Sequence, residues 1–548
     1  MAKRRVVKRI RNKRRKGYRY LLCLLTVVFV TGVLFVFKLI VDDKNDSGGA
    51  ASVVDVFKGQ MKNAASSGGY AISTSNPEAA DAGEKILKAG GNAVDAAVAM
   101  AYTLSVTEPY GSGLGGGGCM VIYDPETEDT IFYDYSAEAP ASGSSSKILV
   151  PGFVSGMKTV RENHGTMEFQ QLLEPALDYC DGFEVNQEFE TRIERVSGML
   201  HTSSAFYLKD HWITEGETLT QSELKETLEI LRENGEEDFY SGTIADMIVQ
   251  NTSLSKEDLQ TYETIISEPV TGTYRDYEIT AAAAPYSGTT LIQMLKMMEE
   301  LDIENPNENE EKFLEKLETA TLAAHADRTS YVYDLRFGQS GINEGSRIED
   351  EYIQELLGAD IHDVEIEQES EDTTGFTVID KNGMVVACTN TLSHFLGSKV
   401  CVGGFYMNNT GVNFGSGVNS YEAGKRPRTH ITPTILKNDD EVIAIASPGG
   451  SVIVKVLAAV LTDICRFDTD AQEAVDKQRV YFESEGLVYY ETGYETKPLV
   501  KAAGCGYSAV PVTNHSSFGS VAISGYKEDS GFYAVKDIRR GGAKKAVN

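Results

Sequence analysis

Metal-binding and redox signatures are missing from this chain. Its eight histidines are scattered without an HExxH pair, and its seven cysteines (Cys23, Cys119, Cys180, Cys388, Cys401, Cys465 and Cys505) are widely spaced, with no CxxC and nothing like a zinc ribbon. We therefore expect no metal and no cofactor. No fixed-period repeat is present, which argues against solenoids and propellers. Acid is absent from residues 1–19, which hold eleven Lys/Arg, so the remainder carries 40 basic against 81 acidic residues, a net charge near −41. A basic tail can bind nucleic acid, but this one abuts an apolar run and the body is acidic, so nucleic acid is not an expected partner. Charge is also absent from Tyr20 to Phe37, and Lys38 is followed by Leu39, Ile40 and Val41, giving roughly the ~20 apolar positions of a bilayer helix. The run is long for a cleavable signal, and Val41-Asp42-Asp43-Lys44 offers no small-x-small site. The expectation is a single-pass cell-membrane anchor, with the N-terminus cytoplasmic and the body outside the cell. Cys23 lies in that span; the other six cysteines are free either to pair outside the cell or to stay as buried thiols.

What is present is a large globular body, with 41% hydrophobic residues in 548. The boundaries read as a basic tail (1–19), a transmembrane anchor (20–41), a polar stalk (42–69) and a body starting near Tyr70. Asn76-Pro77 opens a helix over 78–89, Gly90-Gly91 stops it, and Asn92 caps a second helix through Leu104. Residues 151–335 read as mostly helical. After an acidic stretch from Glu365 to Asp372, short β-rich runs follow. Phe376–Asp380 and Met384–Thr391 flank Asn382-Gly383, a strong hairpin signal. With Asn382 and Gly383 as a two-residue loop, Thr374 faces Thr391 and Thr373 faces Leu392. Strands are also expected at 405–407, 442–445 and 520–524, and a helix at 452–465. Strands in the first and last thirds with helices between them predict a layered α/β body.

The run Gly111-Ser112-Gly113-Leu114-Gly115-Gly116 fits GxGxxG formally. It follows a helix and precedes a strand (119–123), the reverse of the dinucleotide-binding order, so it reads instead as close backbone packing near a pocket. Threonines in a strand are ordinary on composition alone. The whole string Thr373-Thr374-Gly375-Phe376-Thr377-Val378-Ile379-Asp380, however, resembles the start of the small subunit in the γ-glutamyltransferase family. Lys88 to Ala97, Glu108-Pro109 with Gly113 to Gly118, Val150-Pro151-Gly152, Ala326-Asp327-Arg328, Gly424-Lys425-Arg426-Pro427, Ser447 to Ser451 and Asp537-Ile538-Arg539-Arg540 continue the resemblance in order.

The resemblance implies an N-terminal nucleophile hydrolase fold, a four-layer αββα sandwich. It implies a precursor that cuts itself between Asp372 and Thr373 into a large-subunit segment (70–372) and a small-subunit segment (373–548), held together as a heterodimer. Thr373 becomes the nucleophile, Thr391 its orienting partner, and the Gly449 and Gly450 N–H groups the oxyanion donors. A free α-amine, with a pKa near ~8, can accept the proton of its own hydroxyl at neutral pH, so no histidine is required. The acyl-enzyme would pass its γ-glutamyl group to water or to an amine.

Several positions depart from the family pattern. Ser136 stands where an arginine clamps the substrate carboxylate, Asn413 replaces an aspartate that holds the α-amine, Thr429-His430 replaces a serine pair, and Gly375 replaces a histidine. With Cys388 to Ser393 and Lys425 to Thr429, these changes are similar to the capsule branch of the family, which acts on poly-γ-glutamate. Asn413, Arg428, Thr429 and Ser393 are the substrate-binding candidates. In a polymer the α-amine is an uncharged amide, which suits Asn413, and Arg428 could supply the missing carboxylate recognition. The expected activity is a γ-glutamyl hydrolase/transpeptidase acting on glutathione-like peptides or poly-γ-glutamate. The alternatives are a glutaryl-type acylase and an uncleaved envelope binding protein.

Overall fold

The computed structural model describes residues 68–143, 146–338, 343–361, 364, 366–369, 372–493 and 506–548. The basic tail, the apolar span, most of the stalk, Cys23 and Cys505 lie outside them. Among the described residues no helix is long and apolar enough to cross a membrane, and Cys119, Cys180, Cys388, Cys401 and Cys465 carry free thiols.

The main strands, in chain order, are β1 (Tyr70–Thr74), β2 (Gly117–Tyr123), β3 (Thr130–Asp134), β4 (Ile265–Ser267), β5 (Val270–Tyr274), β6 (Tyr277–Ala281), β7 (Thr373–Ile379), β8 (Val385–Thr391), β9 (Thr434–Lys437), β10 (Glu441–Ala446), β11 (Ala522–Lys527), β12 (Gly531–Ala534) and β13 (Ala543–Val547). They form a seven-stranded sheet, β13-β1-β7-β8-β2-β3-β4, and a six-stranded sheet, β12-β11-β10-β9-β6-β5. Every neighbouring pair in both is antiparallel.

The alternation of side chains along a strand explains why the sheets stack. On β2, Cys119, Val121 and Tyr123 enter one core together with Val442, Ile443 and Ile445 of the second sheet. Met120 and Ile122 point the other way, into a core shared with the helices. Thr377 of β7 donates to Ser524 of β11 at 2.9 Å, fastening one sheet to the other. The outer face of the first sheet is covered by α1 (Pro77–Lys88) and α2 (Ala93–Thr107). All fifteen residues of α2 are buried, as its alanine-rich, nearly uncharged sequence requires, and an Asn92/Asp95 capping box starts it. The second sheet is covered by α3 (Gly288–Glu300), and α4 (Ile453–Phe467) lies beside α3 and shares the same core. The result is an αββα sandwich.

Two expectations need correction. The section 151–335 is not only helical, because it also supplies β4, β5 and β6 to the two sheets. These strands are short, and the exposed face of β5 carries Thr271 and Thr273 rather than apolar residues, so the period-two signal is faint. The hairpin register also shifts by one residue. Gly383, with φ of +94°, donates its N–H to Asp380 O, and Asp380 N–H donates to Met384 O. Those bonds enclose a three-residue loop, Lys381 to Gly383, with glycine in the left-handed position. Thr373 therefore faces Thr391, and Thr374 faces Asn390.

The side chain of Asp380 selects this turn. Its carboxylate accepts from Asn382 N at 2.8 Å and Met384 N at 3.2 Å within the loop, and from Ala93 N at 2.8 Å at the start of α2. One buried carboxylate thus sets the register and ties it to the buried helix. Asp380→Ala is expected to destabilise the body by about 3 kcal/mol, because three charge-assisted bonds are lost at a buried site. Denaturant unfolding would check it, and a change below about 0.5 kcal/mol would rule the account out.

Candidate active site

The corrected register brings two hydroxyls together at the open end of the hairpin. Thr373 Oγ1 lies 3.2 Å from Thr391 Oγ1. Thr391 also donates to the carbonyl oxygen of Asp372 at 3.0 Å and accepts from Ser393 N–H at 2.9 Å. A hydroxyl has one proton and two lone pairs. With its proton on the Asp372 carbonyl, Thr391 must accept from Thr373, which fixes the direction of that bond. Thr373 is buried, as are its neighbours on β7.

Asp372 is anchored from the other side. Its carboxylate pairs with Arg192 on the helix Gln187–Val196, and Arg192 also bonds Glu188 at 2.7 Å and lies over the Tyr110 ring. Arg540 reaches the Thr373 carbonyl at 3.5 Å and donates to Ser516 O at 2.8 Å. The glycine run packs as expected: a Cβ on Gly111 would meet Thr374 Cγ2 at 3.1 Å and the Thr373 carbonyl carbon at 3.5 Å. Gly449 and Gly450 sit in a turn that opens α4, with φ of +140° and +58°. Gly375, two positions along the same strand face from Thr373, lies against Ser447 and Pro448, at 3.4 Å from where a Cβ would be. The turn therefore packs directly on this stretch of the strand.

The four substrate-binding candidates converge, and they converge on the chain's own acidic segment. Asn413 Nδ2 and Thr429 Oγ1 donate to one oxygen of Glu369, at 3.0 and 2.7 Å. His430 donates to the other from its backbone N–H at 2.7 Å, and its Nδ1 is 3.1 Å away. Ser393 Oγ donates to Asn413 Oδ1 at 3.1 Å, which leaves the amide nitrogen aimed at the carboxylate. Burial raises the pKa of Glu369 and pushes that of His430 well below its ordinary value, so His430 is a neutral imidazole at neutral pH.

Arg428 grips Glu367 from Nε at 2.6 Å and again from Nη2. Arg328 Nη1 joins the same carboxylate at 3.0 Å. Gln368, between the two glutamates, turns away to Ser451, the residue after Gly450, at 3.3 Å. Burial alone would raise the Glu367 pKa, but the Arg428 hydrogen bond and the two guanidinium charges bring it down to about 2. Burial lowers Arg328 to about 10, still charged at neutral pH. Asn419 braces the wall by donating to Asn413 O and accepting from Arg428 N–H.

Ser136 lies just past the end of β3, with β2 between it and Thr391: its backbone is beside Gly117, the β2 partner of Thr391, and its carbonyl accepts from Tyr262. Sequence reasoning missed Arg328 as a site residue, although the Ala326-Asp327-Arg328 motif carried the signal. It also missed Arg192, which reads as an ordinary charge on an amphipathic helix, and the roles of Glu367 and Glu369, which read only as acidic composition.

Residues 79–547 match the family model described as gamma-glutamyltranspeptidase. The chain is 34% identical over 501 residues to the capsule biosynthesis protein CapD proenzyme of Bacillus anthracis, covering 90% of this chain and 94% of that one. It is 31% identical over 542 residues to the glutathione hydrolase proenzyme of Bacillus subtilis (strain 168), covering 87% and 91%. Cephalosporin acylase from Bacillus halodurans shares the fold, with a TM-score of 0.78 at 23% identity over 87% of this chain and 96% of that chain.

The pairing of Glu367 with two arginines predicts a pH dependence. Its folded pKa is lowered, so the stabilisation is complete above the ordinary carboxylate range and is lost as pH falls from about 4.5 toward 2. In a Thr373→Ala background, Glu367→Gln should be less stable than its parent at pH 6. The gap should narrow steadily between about pH 5 and 3 in urea titrations.

Proposed function

The chain belongs to the gamma-glutamyltranspeptidase family, and from that footing we propose how its own residues carry the chemistry. It is a γ-glutamyl hydrolase/transpeptidase for glutathione-like peptides or poly-γ-glutamate. The observation that carries the residue assignment is the Thr391 hydroxyl, bonded at once to the Thr373 hydroxyl and to the Asp372 carbonyl.

In the continuous chain the Thr373 nitrogen is an amide and cannot accept a proton. Thr391 polarises the Asp372 carbonyl while Thr373 Oγ attacks its carbon. The C–N bond breaks, the nitrogen takes the proton, and Asp372 is left as an ester on Thr373. Water hydrolyses that ester, giving the Asp372 carboxylate and a free Thr373 α-amine. The two fragments stay together as a heterodimer.

The freed amine, with a pKa near ~8, then removes the proton from Thr373 Oγ during attack on a γ-glutamyl carbonyl. Thr391 holds the hydroxyl in line. The Gly449 and Gly450 N–H groups receive the developing oxyanion, a kind of preorganised donor pair whose single members are worth ~2.7–4 kcal/mol in other enzymes. The protonated amine passes its proton to the leaving nitrogen, and the acyl ester is resolved by water or by an acceptor amine. The cluster of Arg328, Arg428 and neutral donors supports an acidic donor, because the acidic body would otherwise repel one. Poly-γ-glutamate fits this pocket well, and the similarity to a capsule biosynthesis proenzyme points the same way. Residues 20–41 serve as the membrane anchor, residues 42–69 as the stalk, and catalysis takes place outside the cell. Asn413 favours one second reading, a glutaryl-type acylase, which comparative rates on glutaryl and γ-glutamyl anilides would separate.

Intact mass of denatured protein comprising residues 42–548 is the direct test. Wild type should give two fragments meeting at Asp372–Thr373, and Thr373→Ala a single chain with no γ-glutamyl turnover. Thr391→Val should slow both cleavage and turnover by at least about tenfold, through loss of a bond realised at the reacting carbonyl. A single stable wild-type chain would favour an uncleaved binding protein instead.

A further inference from the structure

The segment that precedes the expected cut occupies the pocket like a ligand, and its spacing carries information about the substrate. Glu367 and Glu369 both enter the pocket wall, while Gln368 between them faces Ser451. That is the alternation of an extended chain, in which residues two apart lie about 6.6 Å from one another. In a γ-linked glutamyl chain each unit adds five backbone bonds, about 6 Å when extended, and each carries one α-carboxylate. Successive carboxylates of such a polymer therefore recur at nearly the spacing of Glu367 and Glu369.

The two carboxylate sites differ in kind. Glu369 is held by neutral groups: Asn413, Thr429 and the His430 backbone N–H donate to it, and the His430 ring Nδ1 lies 3.1 Å away. Glu367 is held by two guanidinium groups on almost fully buried arginines, Arg328 at 1% and Arg428 at 4% exposure. Both are braced by fixed groups. Arg328 Nε donates to Ser287 Oγ at 2.9 Å and Arg428 Nη1 to Thr329 O at 2.7 Å. Among the described residues, Glu367 is the carboxylate that ion-pairs with either. Departure of the segment that carries Glu367 and Glu369 would leave two buried like charges without these counter-ions, a strongly unfavourable state that any anion of suitable shape would relieve.

We propose that Arg328 and Arg428 form a second carboxylate subsite, which takes the α-carboxylate of the glutamyl unit joined to the α-amine of the reacting one, and that Glu367 fills it until the chain is cut. The inference rests on the γ-glutamyl hydrolase/transpeptidase reading and narrows it from single γ-glutamyl groups to donors with at least two successive γ-linked glutamyl units. It assigns a site function to Arg328, and it makes the end of the large fragment a competitor of the substrate. The competition is strong at first, since a tethered ligand acts at an effective concentration of order millimolar.

The test uses the cleaved, wild-type protein and varies the substrate, so folding is not at issue. Three p-nitroanilides are compared: γ-glutamyl, γ-glutamyl-γ-glutamyl, and the same dimer with its outer α-carboxylate converted to the amide. The two-carboxylate donor should show a KM at least about tenfold below that of the amide, the magnitude of one lost charge-assisted contact. Arg428→Gln should bring the two within about twofold. The acetylated tetrapeptide Ile366–Glu369 should inhibit competitively, and its Glu367→Gln version about tenfold less well. Equal KM values for acid and amide donors, alongside Thr373-dependent turnover, would overturn this proposal and leave the enzymatic reading intact. No Thr373-dependent turnover of any γ-glutamyl donor would overturn both.

Discussion

The meeting of Thr373 with Thr391 at the end of the sheet depends on one buried carboxylate. Asp380 satisfies two N–H groups inside the Lys381–Gly383 loop and a third at the first turn of α2. A two-residue loop would have left those donors differently placed and slid β7 by one position against β8. In a strand, a slip of one residue sends every side chain to the opposite face. Thr373 would then point toward the helices, away from Thr391 and from the second sheet, which the same face of β7 meets at Thr377. The pairing of hydroxyls at one end of the hairpin is thus set by hydrogen bonds at the other, some seven residues away along each strand.

The pocket meets a different constraint, electrostatic rather than geometric. The chain carries a net charge of −30, and the body without its basic tail is more acidic still. An anionic substrate can be held only where positive charge is gathered locally and shielded from the surrounding carboxylates. Arg328 and Arg428 gather such charge around the chain's own Glu367, whereas Glu369 is met by hydrogen-bond dipoles from Asn413, Thr429 and the His430 backbone. Ser393 and Asn419 touch neither carboxylate through their own donors. Ser393 aims the Asn413 amide, and Asn419 ties the Asn413 turn to the Arg428 backbone. The wall is a network whose outer members are positioned to orient the inner ones.

Much of this was legible in the sequence, and the failures have identifiable causes. The Asn92 cap, the apolar α2 and the Asn382-Gly383 turn announced themselves through local chemistry, and the Thr373 string through its motif. Asn413, Arg428, Thr429 and Ser393, scattered over 36 positions, do gather at one wall. The register was off by one because the deciding bonds come from a side chain, Asp380, and reach a helix nearly three hundred residues away. Strands β4 to β6 were overlooked because they are brief and half-polar inside a helical stretch. The acidic segment was noticed but not understood, since composition gives the sign of its charge and not the arginines it meets.

The order of the first sheet has a consequence of its own. Its seven strands are mixed in origin, with β13, β7 and β8 coming from residue 373 onward and β1, β2, β3 and β4 from before it. A cut at Asp372 would sever no strand, yet each fragment would hold part of an interleaved ladder that neither could complete alone. The sandwich assembles when all its strands belong to one chain, and loop closure inside that chain makes their meeting local. Once the chain is in two, that advantage is gone. The mature protein would then persist through slow unfolding rather than through a readily reversible equilibrium, and a molecule that came apart would have no easy route back.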